Sequence, residues 1–263
     1  MNRYQSPATP EANARVALAC LDLTSLNDGQ DLKGGEADVE LLCSKAIGPA
    51  GRGPTAAVCV WPRLASLARS LLPAAIPVAA VANFPAGGSD VQSAVRDTGR
   101  IVQAGAQEVD VVIPWRDLAS APALLAAVRR ECAGFTLKVI LESGELQDPA
   151  LIAQACHIAL DAGADFLKTS TGKTARTATP EAAIVLLQAI AADRTARHRV
   201  GFKPSGGIRT VADAALYIAL TAEQLGAEAL TPARFRIGAS GILADIEAVL
   251  GGVAARPAAA GTY

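Results

Sequence analysis

The sequence predicts a (β/α)8 barrel from two features. Apolar runs of strand length alternate eight times with segments of helical period within 263 residues. The runs are apolar throughout, as expected of parallel strands with both faces covered. Eight such units are typical of a closed barrel, and a doubly wound open sheet is the alternative. The predicted strands are residues 16–24, 56–61, 78–84, 108–114, 136–142, 166–171, 200–205 and 235–239.

Between these runs, helix starts carry capping residues and first-turn prolines. The predicted caps are Ser89 with Gln92, Asp148-Pro149, Thr179-Pro180 and Thr210 with Asp213. No linker is apparent, so we expect a single domain with its barrel over residues 14–250. Residues 1–13 form a predicted N-terminal extension. Residues 251–263, rich in Gly, Ala and Pro, form a tail that we expect to be mobile.

The composition excludes several classes of function. A net charge of −1 without a Lys/Arg cluster gives no footprint for nucleic acid. No apolar run reaches the roughly 18 residues of a membrane span, and the polar N-terminus lacks a signal-peptide core, so we expect a cytoplasmic protein. The odd number of widely spaced cysteines predicts reduced, buried thiols. The two histidines, His157 and His198, are isolated, and we therefore expect no histidine-rich catalytic zinc site.

Lysine placement is the strongest chemical signal. Arginine is the common base in this chain, yet four of its six lysines lie in or beside predicted strands: Lys138, Lys168, Lys173 and Lys203. Unlike arginine, lysine can lose its proton and form a Schiff base. Polar residues at strand ends are often ion pairs that seal a barrel mouth, but lysines on neighbouring strands repel one another. Two ammonium groups about 4 Å apart repel by roughly 4 kcal/mol, enough to lower one pKa by about two to three units.

The neighbours of each lysine predict its role. Lys168 follows Phe166 and Leu167, and desolvation there favours the neutral, nucleophilic amine. Lys203 is expected to remain protonated as the perturbing charge. Asp110, a carboxylate in an apolar strand, is suited to proton transfer. Strand one adds three further polar candidates at the same end of the barrel: Asp22, Thr24 and Asn27.

Two glycine-rich segments predict a phosphate site. Gly206-Gly207 follows strand seven, and Gly238-Ala239-Ser240 follows strand eight, where barrels often bind phosphate through backbone N–H groups. Gly172-Lys173-Thr174 looks like the end of a nucleotide-binding P-loop. That pattern needs a glycine where Leu167 stands, and its lysine should open a helix. We therefore reject the P-loop interpretation.

Six segments in order resemble the deoxyribose-phosphate aldolases: LDLTSLN, EVDVVIP, LKVILESGEL, FLKTSTGK, GFKPSGGIR and RIGAS. The resemblance spans about residues 18–250 and implies a class I, metal-free aldolase that cleaves 2-deoxy-D-ribose 5-phosphate. It implies Lys168 as the Schiff-base lysine, Lys203 as the group that lowers its pKa, and Asp110 and Tyr263 in proton transfer. Implied pocket residues are Asp22, Thr24, Asn27, Cys43, Lys138 and Thr171. Implied phosphate residues are Gly172, Lys173, Gly206, Gly207, Arg209, Gly238 and Ser240.

The resemblance leaves several points open. Gly241 replaces a second serine that such aldolases commonly carry, and Cys43 fits either the core or the pocket. The substrate is expected to be a sugar phosphate, and a homodimer is one option for assembly. Two alternatives remain: another Schiff-base aldolase of transaldolase-like type, and a non-catalytic barrel that binds a sugar phosphate.

Overall fold

The computed structural model describes residues 8–27, 32–254 and 256. Eight parallel strands form one sheet in the order β7-β6-β5-β4-β3-β2-β1-β8. The strands are Leu21–Thr24 (β1), Ala57–Val60 (β2), Val78–Ala82 (β3), Glu108–Val112 (β4), Thr136–Ile140 (β5), Phe166–Lys168 (β6), Gly201–Lys203 (β7) and Ile237–Ala239 (β8). Isolated parallel bridges join Phe202 with Phe235 and Ser205 with Gly238, which closes the sheet between β7 and β8. The predicted barrel is confirmed, and the open sheet is excluded.

Helices alternate with the strands and pack around the outside of the barrel. In the described part of the chain they are Pro10–Ala19 (α1), Leu32–Ile47 (α2), Ala65–Leu71 (α3), Val91–Gln103 (α4), Ala121–Glu131 (α5), Ser143–Leu146 (α6), Pro149–Asp161 (α7), Pro180–Ala192 (α8), Val211–Leu225 (α9) and Leu243–Leu250 (α10). Outward-facing strand residues such as Val58, Val139 and Leu167 join the buried core between sheet and helices. This core is why the strands read as continuous apolar runs.

The start of the barrel differs from the prediction. The sequence predicts residues 16–19 as strand and residues 10–13 as extension, but both belong to α1, which packs against α9 and α10. Thr9 caps this helix by accepting a hydrogen bond from the backbone of Ala12 at 3.2 Å, and Pro10 occupies its first turn. A short apolar run fits a buried helix as well as a strand, so the prediction of strand one was wrong over these residues.

Three of the four predicted helix caps are confirmed. Asp148, Thr179 and Thr210 each accept a backbone N–H bond at the start of α7, α8 and α9. The predicted box of Ser89 with Gln92 is wrong, because Asp90 caps α4 by accepting a hydrogen bond from the backbone of Ser93 at 3.1 Å. A carboxylate at this position also interacts favourably with the helix dipole.

The five cysteines are free and buried, as predicted. No helix in the described ranges of the chain is long and apolar enough to cross a membrane. The same ranges contain no group of three or more His, Cys, Asp or Glu side chains arranged to hold a metal ion.

Candidate active site

Strand register brings the predicted site residues together inside the barrel. Asp110 of β4 is the register partner of Lys138 on β5, and Lys168 of β6 is the partner of Lys203 on β7. Register partners in parallel strands project from the same face of the sheet. All four side chains are buried, so their charged ends meet in the barrel interior.

Asp110 is the centre of this cluster. Its Oδ2 accepts hydrogen bonds from the Nζ of Lys168 and the Nζ of Lys203, both at 2.8 Å. Its Oδ1 accepts from the Nζ of Lys138 at 2.7 Å. One carboxylate therefore holds three amines from three neighbouring strands. The lysines that the sequence predicted to meet do so, although an anion lies between them.

A further layer of ion pairs surrounds this cluster. Asp22 Oδ2 lies 2.5 Å from Lys203 Nζ, and Asp22 Oδ1 lies 2.5 Å from Arg236 Nη1. Glu108 bridges Lys138, at 2.5 Å, and Arg236, at 2.9 Å. The seven groups form one ion network: Asp22, Glu108, Asp110, Lys138, Lys168, Lys203 and Arg236.

Sequence reasoning missed Glu108 and Arg236. Glu108 lies two residues before Asp110 and therefore on the same face of β4, which is a signal the sequence does contain. Arg236 immediately precedes β8. Its inward direction depends on how the last strand closes the barrel, which the sequence does not show.

The surroundings of the lysines separate their pKa values. Burial lowers the pKa of Lys168 below its usual value of 10.5; Asp110 opposes this, and Lys203 adds to the lowering. For Lys203, burial is outweighed by Asp110 and Asp22, which raise its pKa. For Lys138, Asp110 and Glu108 outweigh burial and hold the pKa well above the usual range. Desolvation is thus the main cause of the lowered Lys168 pKa, and repulsion by Lys203 is a smaller cause than the sequence predicted.

Asp110 itself is a strong acid in this setting. Burial alone would raise its pKa, but Lys138, Lys168 and Lys203 hold it well below the usual 3.8. A carboxylate of this kind stays ionised at neutral pH. Its Oδ2 holds the amines of Lys168 and Lys203 side by side. Because it is such a weak base, it can accept a proton from one amine only as it passes a proton to another group.

The loops after β6 and β7 approach one another closely. Gly172, Gly206 and Gly207 all have positive φ, at 77°, 90° and 78°. A Cβ on Gly206 would lie 2.7 Å from the Cβ of Thr177 and 3.3 Å from the Cα of Gly172. Only glycine allows this conformation and this contact together. Two of the predicted phosphate segments therefore form one cradle.

The third predicted phosphate segment follows β8. Gly238 lies against Ser205, since a Cβ there would come within 2.6 Å of the Ser205 Oγ. Ser240 is exposed ahead of α10. A Cβ added to Gly241 would meet no atom of the described residues within 4 Å, so a serine hydroxyl here would project into open space. Lys173 and Arg209 are exposed on the other two loops.

Glu142, a residue that sequence reasoning missed, braces the loop after β6. It follows β5 with φ 53° and ψ 49°, and its carboxylate is buried. Glu142 Oε2 accepts the hydroxyl hydrogen of Thr171 at 2.6 Å, and the carboxylate also accepts the Thr174 hydroxyl at 3.4 Å. Burial raises the Glu142 pKa, although these hydrogen bonds oppose the shift. The predicted pocket residue Thr171 is thus held in place by a carboxylate beneath it.

The remaining predicted residues divide into three groups. Thr24 and Asn27 lie at the end of β1, where the Thr24 hydroxyl donates to the Asp22 carbonyl at 2.8 Å. Cys43 is a correction: it lies in the core between helices, with its thiol 3.9 Å from the Ala68 carbonyl of α3. Cys59 of β2, by contrast, lies near Asp110 and the three lysines of the ion network. Tyr263 lies outside the described residues.

Comparisons with known proteins identify the family. A family model described as DeoC/LacD family aldolase matches residues 16–244. The deoxyribose-phosphate aldolase of Agrobacterium fabrum (strain C58) is 44% identical over 260 residues, covering 96% of this chain and 97% of the relative. A 1.37 Å apo crystal structure from Toxoplasma gondii ME49, provisionally named a deoxyribose-phosphate aldolase, superposes with a TM-score of 0.80 at 25% identity, over 92% of this chain and 98% of that one.

Two further solved structures are similar. The aldolase QR15 has a TM-score of 0.70 at 29% identity, covering 89% of this chain and 96% of its own. A tetrameric deoxyribose phosphate aldolase from Aeropyrum pernix, at 24% identity over 93% of this chain and 94% of its own, has the same fold with a TM-score of 0.70. With a family model covering most of the barrel and a relative at 44% identity, this chain belongs to the DeoC/LacD family of aldolases.

Proposed function

We propose that this chain is a deoxyribose-phosphate aldolase whose Schiff base forms on Lys168. The reaction is the reversible cleavage of 2-deoxy-D-ribose 5-phosphate to acetaldehyde and D-glyceraldehyde 3-phosphate. One observation carries the proposal: the buried Lys168 amine lies 2.8 Å from Asp110, next to Lys203, with its pKa lowered by burial. A buried lysine with a lowered pKa at the carboxyl end of a barrel strand loses its proton more readily and is then a nucleophile toward carbonyl carbon.

The steps follow from the positions of these groups. Lys168 Nζ attacks C1 of the ring-opened sugar, and the resulting carbinolamine loses water to give an imine. Lys203 supplies a proton for that departure, because it contacts the same Asp110 oxygen as Lys168. The imine is protonated, the C2–C3 electron pair then forms the C1–C2 double bond of an enamine, and the C=N π pair moves to nitrogen, while the C3 hydroxyl loses its proton and C3 becomes an aldehyde. Protonation at C2 and hydrolysis release acetaldehyde.

We propose that the glycine cradle and the segment after β8 together bind the substrate phosphate. The residues concerned are Gly172, Lys173, Gly206, Gly207, Arg209, Gly238 and Ser240. Backbone N–H groups of left-handed glycines and the start of α10 favour an anion, and the exposed Lys173 and Arg209 add positive charge. Asp22, Thr24, Asn27, Lys138 and Thr171 are proposed to line the sugar end.

Borohydride trapping tests the proposed nucleophile. Reduction in the presence of deoxyribose 5-phosphate should leave a stable two-carbon or sugar adduct on the peptide containing Lys168, detected by mass spectrometry. Lys168→Arg should abolish the adduct while keeping the positive charge. Lys173→Met, the matched control in the same segment, should still trap and should raise the KM. An adduct found only on another lysine would contradict the proposal.

Two finer expectations accompany this function. Because an iminium is itself the electron sink, activity should survive a chelator, and its loss would show a metal requirement. Deleting Tyr263 should slow proton exchange at C2 of the product more than it changes substrate affinity; equal effects would indicate mere packing.

We also propose a cytoplasmic, homodimeric enzyme that degrades deoxyribonucleotide-derived sugar. The buried free thiols support a reducing compartment. The Aeropyrum pernix relative is described as a tetramer, so light scattering should distinguish dimer from tetramer.

A further inference from the structure

The ion network contains one more basic group than it has carboxylates. Its carboxylates are Asp22, Glu108 and Asp110, and its bases are Lys138, Lys168, Lys203 and Arg236. Each of these residues is at most 6% exposed. A buried group with net charge is far less stable than a neutral one. Three anions balance three cations, so one of the four bases is neutral when the network as a whole is neutral.

Arg236 cannot be the neutral base, because a guanidinium keeps its proton in proteins. Its Nη1 contacts Asp22 at 2.5 Å, and its Nη2 contacts Glu108 at 2.9 Å. The permanent positive charge of Arg236 therefore balances one of the three carboxylate charges. The other two carboxylate charges can balance only two of the three lysines as ammonium groups.

The contacts decide which lysine is left without a proton. Lys138 has carboxylate oxygens at 2.5 Å (Glu108) and 2.7 Å (Asp110). Lys203 has them at 2.5 Å (Asp22) and 2.8 Å (Asp110). Within the described ranges, Lys168 contacts one carboxylate, at 2.8 Å, and it shares that Asp110 oxygen with Lys203. Lys168 is the amine with the weakest anionic support.

We propose that Arg236 and Glu108 are positioning residues for catalysis: together they make Lys168 the base of the network that lacks a proton. Arg236 does so by occupying negative charge permanently, and Glu108 by fixing Lys138 as a cation. The proposal rests on the proposed role of Lys168 as the nucleophile. Within the network, the two residues contact Asp22, Lys138 and each other, and Arg236 Nε also donates to the Pro232 carbonyl. Neither contacts Lys168 in the described structure, so both act on it through the rest of the network.

Other groups around Lys168 leave this charge balance unchanged. It faces Asp110 from β4, Lys203 from β7 and the thiol of Cys59 from β2. Burial raises the pKa of the Cys59 thiol, which keeps it neutral. Lys138 from β5 and Asp22 from β1 complete the surroundings through their contacts with Asp110 and Lys203.

Substitution of Arg236 and substitution of Glu108 should shift the pH midpoint for trapping on Lys168 in opposite directions. In Arg236→Met, three carboxylates face three lysines, so Lys168 becomes protonated and the pH midpoint for its borohydride trapping with acetaldehyde should rise by about one unit, or roughly tenfold in rate below the midpoint. In Glu108→Gln one anion is lost, and the midpoint should fall. The double variant restores the balance and should return the midpoint close to that of the unmodified protein. Arg236→Lys keeps the charge and serves as the control for folding.

The outcomes separate this inference from the proposed function. If no adduct forms on Lys168 in the unmodified protein, the proposed function fails. If the adduct forms but the midpoint stays fixed in Arg236→Met, or moves upward in Glu108→Gln, only the positioning roles fail. Should Arg236→Met not fold, as judged by circular dichroism, Glu108→Gln and the charge-balanced double variant still decide the question. A double variant that keeps the Glu108→Gln midpoint would also overturn the inference.

Discussion

Two walls of the barrel interior carry opposite chemistry although they belong to one sheet. The charged wall is the ion network, contributed by β1, β4–β7 and Arg236. The apolar wall is Cys59, Ala79 and Val81 of β2 and β3. All are buried. Long, charged side chains thus face short, uncharged ones across the barrel.

The two walls differ in side-chain size as well as in charge. Val81 lines a cavity of about 490 Å³ at the ends of β2 and β3, together with Trp61 and Phe84. Cys59 and Ala79 lie next to Val81 in the same cluster. The other residues that line this cavity lie outside the ion network. The short side chains of the apolar wall accommodate the long, charged side chains opposite them within a closely packed barrel.

The largest expected effect comes from breaking the charged wall at Lys203. Lys203→Met removes the amine that donates to both Asp22 and Asp110. Lys168 can take up the missing proton and restore the charge balance, but the two lost buried hydrogen bonds to carboxylates together contribute about 3–6 kcal/mol. The free energy of unfolding, measured with urea, should fall by that amount, whereas Lys45→Met on the surface of α2 should change it by less than about 0.5 kcal/mol. A loss as small as that of the surface control would mean that the network does not hold its charges as described.

An intermediate effect is expected from filling the apolar wall. Cys59→Leu adds volume beside the lysines, and overpacking costs about 1–3 kcal/mol of stability. The added side chain should also raise the KM for deoxyribose 5-phosphate by roughly tenfold, equivalent to about 1.4 kcal/mol. Cys43→Leu is the matched control: it should destabilise the helix layer similarly and leave the KM unchanged. A higher KM in Cys43→Leu instead would restore the pocket role predicted from sequence.

The smallest stability effect should come from Lys168→Met, and its sign is opposite. A lysine pKa lowered in the folded state means that the unfolded chain binds more protons between that pKa and 10.5. Removing the amine should therefore raise the free energy of unfolding by about 1 kcal/mol at low and neutral pH. The gain should shrink as the pH rises toward 10.5, while activity is lost throughout. A gain that grows with pH would contradict the depressed pKa.

Much of the site could be predicted from sequence because strand period fixes the face of each residue. Asp110, Lys138, Lys168 and Lys203 interrupt apolar strands, and the closed sheet brings them together. The sequence does not show which of Cys43 and Cys59 lies near the lysines, because a buried cysteine has similar apolar neighbours in a helix and in a strand. The direction of Arg236 depends on long-range closure of β8 onto β7 and β1, which local patterns do not encode.

The fold likewise has features that local sequence predicts and features that depend on long-range packing. Its eight strand–helix units follow from hydrophobic period and caps, since these are local properties. Residues 16–19 read as strand because their apolar run fits either element, and packing of α1 against α9 and α10 decided the outcome. The strand ends at Lys168, and the two threonines that follow bond to neighbouring segments: the Thr169 hydroxyl donates to the Ser205 carbonyl, and the Thr171 hydroxyl donates to Glu142.

The central claim is that Lys168 is the neutral amine of the ion network. Trace acylation with a small anhydride across pH, followed by mass spectrometry of each lysine peptide against denatured protein, tests it most directly. We expect Lys168 to become reactive below pH 10.5, while Lys138 and Lys203 stay unmodified at the same pH because their pKa values are raised. Acylation of Lys138 or Lys203 before Lys168, or a Lys168 transition at the same pH as in the denatured chain, would contradict it.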